Sequence, residues 1–344
     1  MTPTIYDIAK RAGVSITTVS KVLNNYPDVS EKTRKKILKT IEESGYQPNS
    51  HARALMTKKY WTIGVVFIEA LDIGIKHSFY SAVIESFRKR VGEFGYDLLL
   101  VSKNIENKRK TYLERLKHRG VDGVIVISPQ NFDKEIKELL EYDIPSVFID
   151  INSKDVTVVK SDNYYGSILA VDYLYSMGHR KIAHIAGAEE TLAGSERLKG
   201  FLDAINKHQL EIPDSFIEDG GYFNSKGGKE AMDKLLTLED RPTAVYVAGD
   251  LMALGAMKSI REHELKIPED ISIVGFDDIE LASLSTPELT TIRQNTDLIG
   301  TQAADLLIQQ INAKRKISIN VTVPVELIIR QSTKEFKRGS KKLG

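Results

Sequence analysis

The sequence predicts an all-α helix-turn-helix head followed by an α/β body of parallel sheets, and three observations predict it. Residues 5–24 read Ile-Tyr-Asp-Ile-Ala-Lys-Arg-Ala-Gly-Val-Ser-Ile-Thr-Thr-Val-Ser-Lys-Val-Leu-Asn: one short amphipathic run closes at Gly13 and a second opens at Ser15. From Trp61 onward, short apolar runs alternate with helical stretches, the pattern of parallel sheets covered on both faces. The charge divides at the same place. Residues 1–60 hold 11 Lys/Arg against 5 Asp/Glu, and the rest of the chain 37 against 42.

A chain of 344 residues is long enough for two or three domains. Its 42% hydrophobic and 28% charged residues fit a globular protein in water. It has no cysteine, which excludes disulfides, thiolate metal sites and a cysteine nucleophile and fits a reducing compartment. With no apolar signal core at the start and no apolar run of ~18 residues, a cytoplasmic protein without membrane contact is expected. A basic head on a mildly acidic body points to a polyanion as partner of the head alone; a solvated helix face is the plainer alternative.

In the head, Ile5, Ile8, Ala9 and Ala12 make the inner stripe of a first helix, and Gly13 supplies a tight turn. Ser15 caps a second helix with Val19, Val22 and Leu23 inward. Rich in Thr, Ser, Lys and Asn, it is the one built to touch DNA. Ser30 caps a third helix with Ile37, Leu38 and Ile41 inward, and Gly45 ends it. The segment 51–56, His-Ala-Arg-Ala-Leu-Met, reads either as a hinge helix that orders on a partner or as a plain linker, since two turns are marginal alone.

In the body, strands are expected at 61–68, 96–102, 121–127, 144–149, 180–187, 243–248 and 271–276. Helices are expected at 79–94, 106–119, 164–177, 195–208, 226–237, 250–264 and 295–313. The runs form two sets, 61–160 and 161–290. A returning segment with β-like stretches at 317–323 and 325–329 completes both, and 334–344 reads as a flexible basic tail.

At this point the chain resembles the lactose-repressor (LacI–GalR) family of bacterial transcription regulators. The motifs include Thr4-Ile5-Tyr6-Asp7-Ile8-Ala9, Gly13-Val14-Ser15, Thr18-Val19-Ser20-Lys21-Val22-Leu23-Asn24, Val29-Ser30-Glu31-Lys32-Thr33-Arg34, Gly45-Tyr46-Gln47-Pro48-Asn49 and Ala52-Arg53-Ala54-Leu55. Further along they include Val121-Asp122-Gly123-Val124-Ile125, Gly178-His179-Arg180-Lys181-Ile182-Ala183, Arg197-Leu198-Lys199-Gly200-Phe201 and Gly275-Phe276-Asp277-Asp278. So many short matches in one order, over nearly the full length, are specific. The resemblance implies a body like periplasmic sugar-binding proteins, two lobes with a ligand cleft and three crossings near 160, 291 and 324. The expected domains are a head at 1–47, a hinge at 48–60, one lobe at 61–160 plus 291–323, the other at 161–290 plus 324–333, and the tail.

The resemblance also places roles on residues. Ile16, Thr17 and Lys21 fall where relatives read bases; Thr17 can bond or place its methyl on thymine, Lys21 can donate to guanine O6 and N7, and Ile16 makes apolar contacts only. Thr4, Ser15, Thr18, Ser20, Asn24, Ser30 and Asn49 are candidates for phosphate contacts, with helix capping the other reading of Ser15 and Ser30. Tyr46 belongs to the same DNA-facing set. Leu55 matches the hinge leucine that wedges into the minor groove, with Ala52 and Arg53 allowing close pairing; the alternative packs Leu55 on the body.

For the cleft, Asp150, Asp250 and Asp277 close or follow apolar strands, and ligands bind at the carboxyl ends of parallel strands. Arg197 matches the family's effector-binding arginine, Asp150 and Asp277 match acceptors, and Phe79, Tyr80 and Tyr222 match the aromatic positions that line the pocket. The duller readings are a helix-capping Asp250, an interlobe Arg197–Asp277 salt bridge and a core Tyr222. Two features depart from the family: Gly249 stands where sugar-responsive relatives carry Asn, and the loop 69–78 is longer than usual. The expected partners are a palindromic double-stranded DNA operator, a second copy of the chain and a small effector, a sugar or sugar phosphate first and a purine-like metabolite or a protein corepressor second.

No catalytic residue, cofactor or metal site is expected. The chain has no GxGxxG, no Walker-type Gly-Lys-Ser/Thr, no His-Glu-x-x-His and no Gly-x-Ser-x-Gly, and His179 and His184 read as residues in or beside a strand. A transport-associated sugar-binding protein that does not touch DNA is the rival class, and the basic head with no export signal argues against it.

Overall fold

The computed structural model describes residues 3–23, 26–46, 59–67, 74–101, 104–105, 108–109, 111–127 and 134–336. The chain divides into two units, Met1–Trp61 and Thr62–Gly344.

The head holds three helices, Ile5–Ala12, Ile16–Leu23 and Glu31–Ser44. Each start is chemically marked. Thr4 and Asp7 form a capping box, in which the Asp7 carboxylate accepts the Thr4 N–H at 2.8 Å. Ser15 Oγ accepts the Thr18 N–H at 3.1 Å, and Ser30 Oγ accepts that of Thr33 at 3.3 Å. Such caps contribute about 1 kcal/mol each. Gly13 and Gly45, both at φ 64, end the first and third helices in a conformation that suits glycine. Ile8, Ala9, Ala12, Val19, Val22 and Ile37 form the core. Leu38, expected inward, is 48% exposed: Ile37 and Ile41 carry the inward stripe, and the next position lies about 100° around the helix from Ile37.

The body contains two six-stranded sheets. The first runs in the order Asn320–Val323, Thr157–Ser161, Ser146–Ile149, Gly123–Ile127, Thr62–Phe67, Asp97–Val101, with every pairing parallel. The second runs Val325–Ile328, Thr290–Gln294, Ser272–Asp277, Ala244–Val247, Ile182–Ala186, Ile217–Asp219, and Val325–Ile328 alone is antiparallel to its neighbour. Each sheet with its helices is one lobe. The helix Thr296–Ala313 lies against Ser78–Glu93 in the first lobe, where Arg90 Nε donates to Asp305 at 2.7 Å and Ser86 Oγ to Asp297 at 2.5 Å. Gly300 permits this approach, since a Cβ there would stand 2.6 Å from the Val83 carbonyl oxygen.

Several boundaries depart from expectation. The second crossing falls at Asn295 and not at 291, because Thr290–Gln294 is a strand of the second lobe. It and Thr157–Ser161 escape a hydropathy reading because both carry buried polar side chains, most of them hydrogen-bonded. Thr157 donates to the Ile317 carbonyl at 2.5 Å, Thr291 to Asp250 at 2.6 Å, and Gln294 to Asp277 at 2.7 Å. The helix expected over 106–119 begins at Tyr112, set by a Thr111–Glu114 capping box, and Asn104–Ile105 pairs antiparallel with Lys108–Arg109 before it. Helices at Lys134–Glu141 and Glu280–Leu284 and the short strand Ile217–Asp219 were not expected.

The start of the supposed tail is anchored: the Phe336 N–H donates to the Met177 carbonyl at 2.8 Å and the Lys334 N–H to Ser272 Oγ at 3.2 Å. Residues 337–344 lie outside the described residues. Among the described residues no helix is long and apolar enough to cross a membrane.

Candidate DNA-reading head and ligand cleft

In the head, the helix Ile16–Leu23 displays the residues singled out as base readers. Ile16 is 38% exposed, a large apolar side chain kept at the surface at the helix start, and Thr17 beside it is exposed. The Lys21 ammonium is ion-paired with the Asp28 carboxylate. That hydrogen bond holds the Asp28 carboxyl below its ordinary pKa. Thr18 is half-buried, with its hydroxyl 2.8 Å from that of Ser15. Ser20 is buried and is not displayed for phosphate. Thr4, Ser15 and Ser30 already serve as helix caps. Tyr46 is half-buried against the three-helix core. Asn24, Asn49, Ala52, Arg53 and Leu55 lie outside the described residues.

In the body, the strand ends converge between the lobes. The backbone turns left-handed at Asp150 (φ 56) and Asp277 (φ 117), a conformation that costs a non-glycine residue of order 1–3 kcal/mol. Asp150, from the first lobe, is buried with its Oδ1 unpartnered, and burial pushes its pKa up to about 6. Asp277, from the second lobe, is also raised by burial, against the opposing pull of the Arg197 guanidinium. Gln294 Nε2 donates to Asp277 Oδ1 at 2.7 Å.

Arg197 sits in the second turn of the helix Leu192–Lys207, which Thr191 caps three residues earlier than expected. Its Nε donates to Asn163 Oδ1 at 2.8 Å and its Nη1 to the Ala248 carbonyl at 2.5 Å, and the group stacks 3.7 Å from the Phe276 ring centroid. Its contact with Asp277 is looser, at 3.5 Å. Both residues belong to the second lobe, so this is not the interlobe bridge considered above. Among the described residues, an ion pair that does join the lobes is Lys160–Glu196, at 2.5 Å, beside the first crossing.

The aromatic residues divide. Phe79 is buried and lines the cleft, with Tyr80 edge-on to it at 5.2 Å; burial and the Asp150 charge raise the Tyr80 phenol pKa. Tyr222 is neither core nor free: it is half-buried and its hydroxyl donates to Glu190. Asp250 does not face the cleft. It is fully buried, and its carboxylate accepts from Thr291 Oγ1 at 2.6 Å and from the Ile279 N–H at 2.9 Å. It therefore neither caps its own helix nor offers an oxygen to a ligand.

The cleft has a cavity of about 390 Å³, bounded by Ser78, Phe79, Ser81 and Ala82 of the first lobe, Asp277–Leu281 of the second, and Gln294 and Thr296 at the crossing. Sequence reasoning missed His77, Ser161, Gln294 and Phe223. His77 Nδ1, Ser161 Oγ and Gln294 Oε1 join Asp150 Oδ1 as buried polar atoms without a hydrogen-bond partner. His77 is held below its ordinary pKa by burial. Phe223, at φ 48, lies 5.5 Å from the Arg197 guanidinium, in space that Gly187 and Gly249 leave open: a Cβ at Gly187 would stand 2.4 Å from its ring. The neighbouring Tyr222 was the available signal; the other three carry none beyond a polar residue at an element end.

Comparison with known proteins agrees with this construction. The model of bacterial regulatory proteins of the lacI family matches residues 4–49, and that of the periplasmic binding protein-like domain matches residues 171–333. The HTH-type transcriptional repressor PurR of Edwardsiella ictaluri is 36% identical over 334 residues, 96% of each chain. The crystal structure of the Lac repressor dimer bound to operator and the anti-inducer ONPF matches with a TM-score of 0.84 at 30% identity, over 97% of this chain and all of that one. A complex of the transcriptional regulator CelR with cellobiose matches at 0.72 and 30% identity, over 96% of this chain and 99% of that one. With a DNA-reading head of this pattern, a two-lobed body and full-length relatives that regulate transcription, the chain belongs to the lacI family of bacterial regulatory proteins.

Proposed function

We propose that the protein is a repressor that binds a palindromic operator as a homodimer, and that a small neutral sugar in the interlobe cleft controls it. Ile16, Thr17 and Lys21 read bases; Thr4, Ser15, Thr18, Asn24, Ser30, Tyr46 and Asn49 fix the head on the backbone; and residues 48–60, with Ala52 and Leu55, form the hinge. A dimer suits a palindrome because each copy reads one half-site.

The observation that carries the effector reading is the set of unpartnered buried atoms: His77 Nδ1, Asp150 Oδ1, Ser161 Oγ and Gln294 Oε1. A buried polar group without a partner costs ~1–3 kcal/mol, and a ligand that supplied the missing bonds would offset that cost, which supports an effector beside these residues. The carboxylate and amide oxygens can only accept, which calls for donors, and hydroxyl groups provide them. Phe79 and Tyr80 offer aromatic surface beside them. The cellobiose bound to the related CelR supports the class.

Charge favours a sugar over its phosphate. Asp150 and Asp277 face a single guanidinium, two of whose donors are committed to Asn163 and Ala248. A phosphate carrying about −1.5 to −2 would meet net repulsion.

A thermal-shift panel of sugars, sugar phosphates and purines on the full-length chain tests this, since a ligand of the folded form raises the melting temperature. Expected is a shift with a neutral sugar, absent in Arg197→Lys, together with a changed operator affinity in a gel shift. Tighter binding of a phosphate ester or a purine would overturn the sugar reading.

A further inference from the structure

The recognition lysine is not loose. Lys21 lies in the last turn of the Ile16–Leu23 helix, and its ammonium is held by Asp28, in the turn that leads to the third helix. That turn is tied on both sides of Asp28. The Tyr26 N–H donates to the Lys21 carbonyl at 2.9 Å, Arg34 donates to the Tyr26 carbonyl at 2.5 Å, Val29 packs on the head's core, and Ser30 caps the next helix. The carboxylate thus has a fixed address beside the helix that faces DNA. The two side chains are 41% and 53% exposed, so the pair adds little to stability. A carboxylate on a surface meant for a polyanion works against affinity, which calls for another reason to be there.

An ammonium has three N–H donors. With one given to Asp28, the others remain for a base edge, and guanine O6 and N7 lie side by side to take them. A free lysine would instead swing to the nearest phosphate, a contact that carries no sequence information.

We propose that Asp28 is a positioning residue for Lys21, holding its ammonium towards base edges and away from phosphates, so that it raises discrimination at the expense of affinity for DNA at large. This rests on the reading of Lys21 as a base contact. In the specific complex the Asp28–Lys21 pair persists, and on non-cognate duplex the same pair withholds one cation from the backbone.

The test uses the full-length chain and two duplexes. One is the palindrome that the wild type selects from a random-core pool, and the other is a scrambled duplex of the same composition. Asp28→Asn is expected to bind the scrambled duplex several-fold more tightly, with a salt dependence steeper by about 0.9 in log K against log salt, the signature of one more phosphate contact. It is also expected to lose several-fold of its preference for guanine over adenine at the Lys21 position, while Asp28→Glu keeps most of that preference. Wild-type salt slope and guanine preference in both Asp28→Asn and Asp28→Ser would overturn the proposal. A separate arm guards the premise: if Lys21→Met selects the same palindrome, Lys21 reads no base and the functional reading is what fails.

Discussion

The Thr291 hydroxyl donates a 2.6 Å hydrogen bond to Asp250 Oδ1, tying the first turn of the helix Asp250–Glu262 to a strand of the second lobe. The other oxygen takes the Ile279 N–H. Asp250→Ala therefore strands two buried donors. The expected loss is about 3 kcal/mol, or roughly 6–12 °C in melting temperature, with a smaller loss for Asp250→Asn. Thermal unfolding followed by circular dichroism checks this; an unchanged melt would mean the carboxylate is dispensable.

Asp150 makes stability depend on pH in a stated direction. Its folded pKa, about 6, lies above the ordinary 3.8, so the folded form holds a proton that the unfolded chain has already released. Stability should fall as pH rises from about 4 to about 6 and then level off. Asp150→Asn removes this titration. The difference in melting temperature between the two proteins should grow across that window in favour of the variant; parallel profiles would refute the assignment.

The Lys160–Glu196 pair bridges the lobes beside the first crossing. Breaking it with Glu196→Gln should bias the empty protein towards an open arrangement. Small-angle scattering should report a larger radius of gyration, and the effector should bind about two- to five-fold more weakly, the worth of ~0.5–1 kcal/mol. Unaltered scattering with unaltered affinity would remove the pair from the closing equilibrium.

Leu55→Ala tests the hinge. If the leucine unstacks a base step at the operator centre, the variant should lose ten-fold or more in operator affinity in a gel shift and keep the wild-type effector-induced melting shift. Retained operator affinity would return Leu55 to the role of a packing residue.

The head's architecture was legible because its signals are local: Ser15, Ser30, Gly13 and Gly45 act within a turn of their own position. The apolar strands of both lobes were legible for the same reason. Thr290–Gln294 was not, since its polar residues owe their burial to partners such as Asp250 and Ser332 that are distant in the chain. The cleft followed this division. Arg197, Asp150 and Asp277 stood out by motif and strand end, whereas His77 and Gln294 become notable only when folding leaves their atoms unpartnered. Asp250 misled because its strand-end position looks the same whether its carboxylate faces a ligand or a neighbouring strand.

The last strand of the first sheet, Asn320–Val323, and the antiparallel edge of the second, Val325–Ile328, are separated by Pro324 alone. During synthesis, neither lobe can complete its sheet until residues 320–328 have left the ribosome, whereas the head has its own core from residues 8 to 37 and emerges first. A chain cut short before residue 320 would keep a foldable head but lack the strands that complete both sheets of the body.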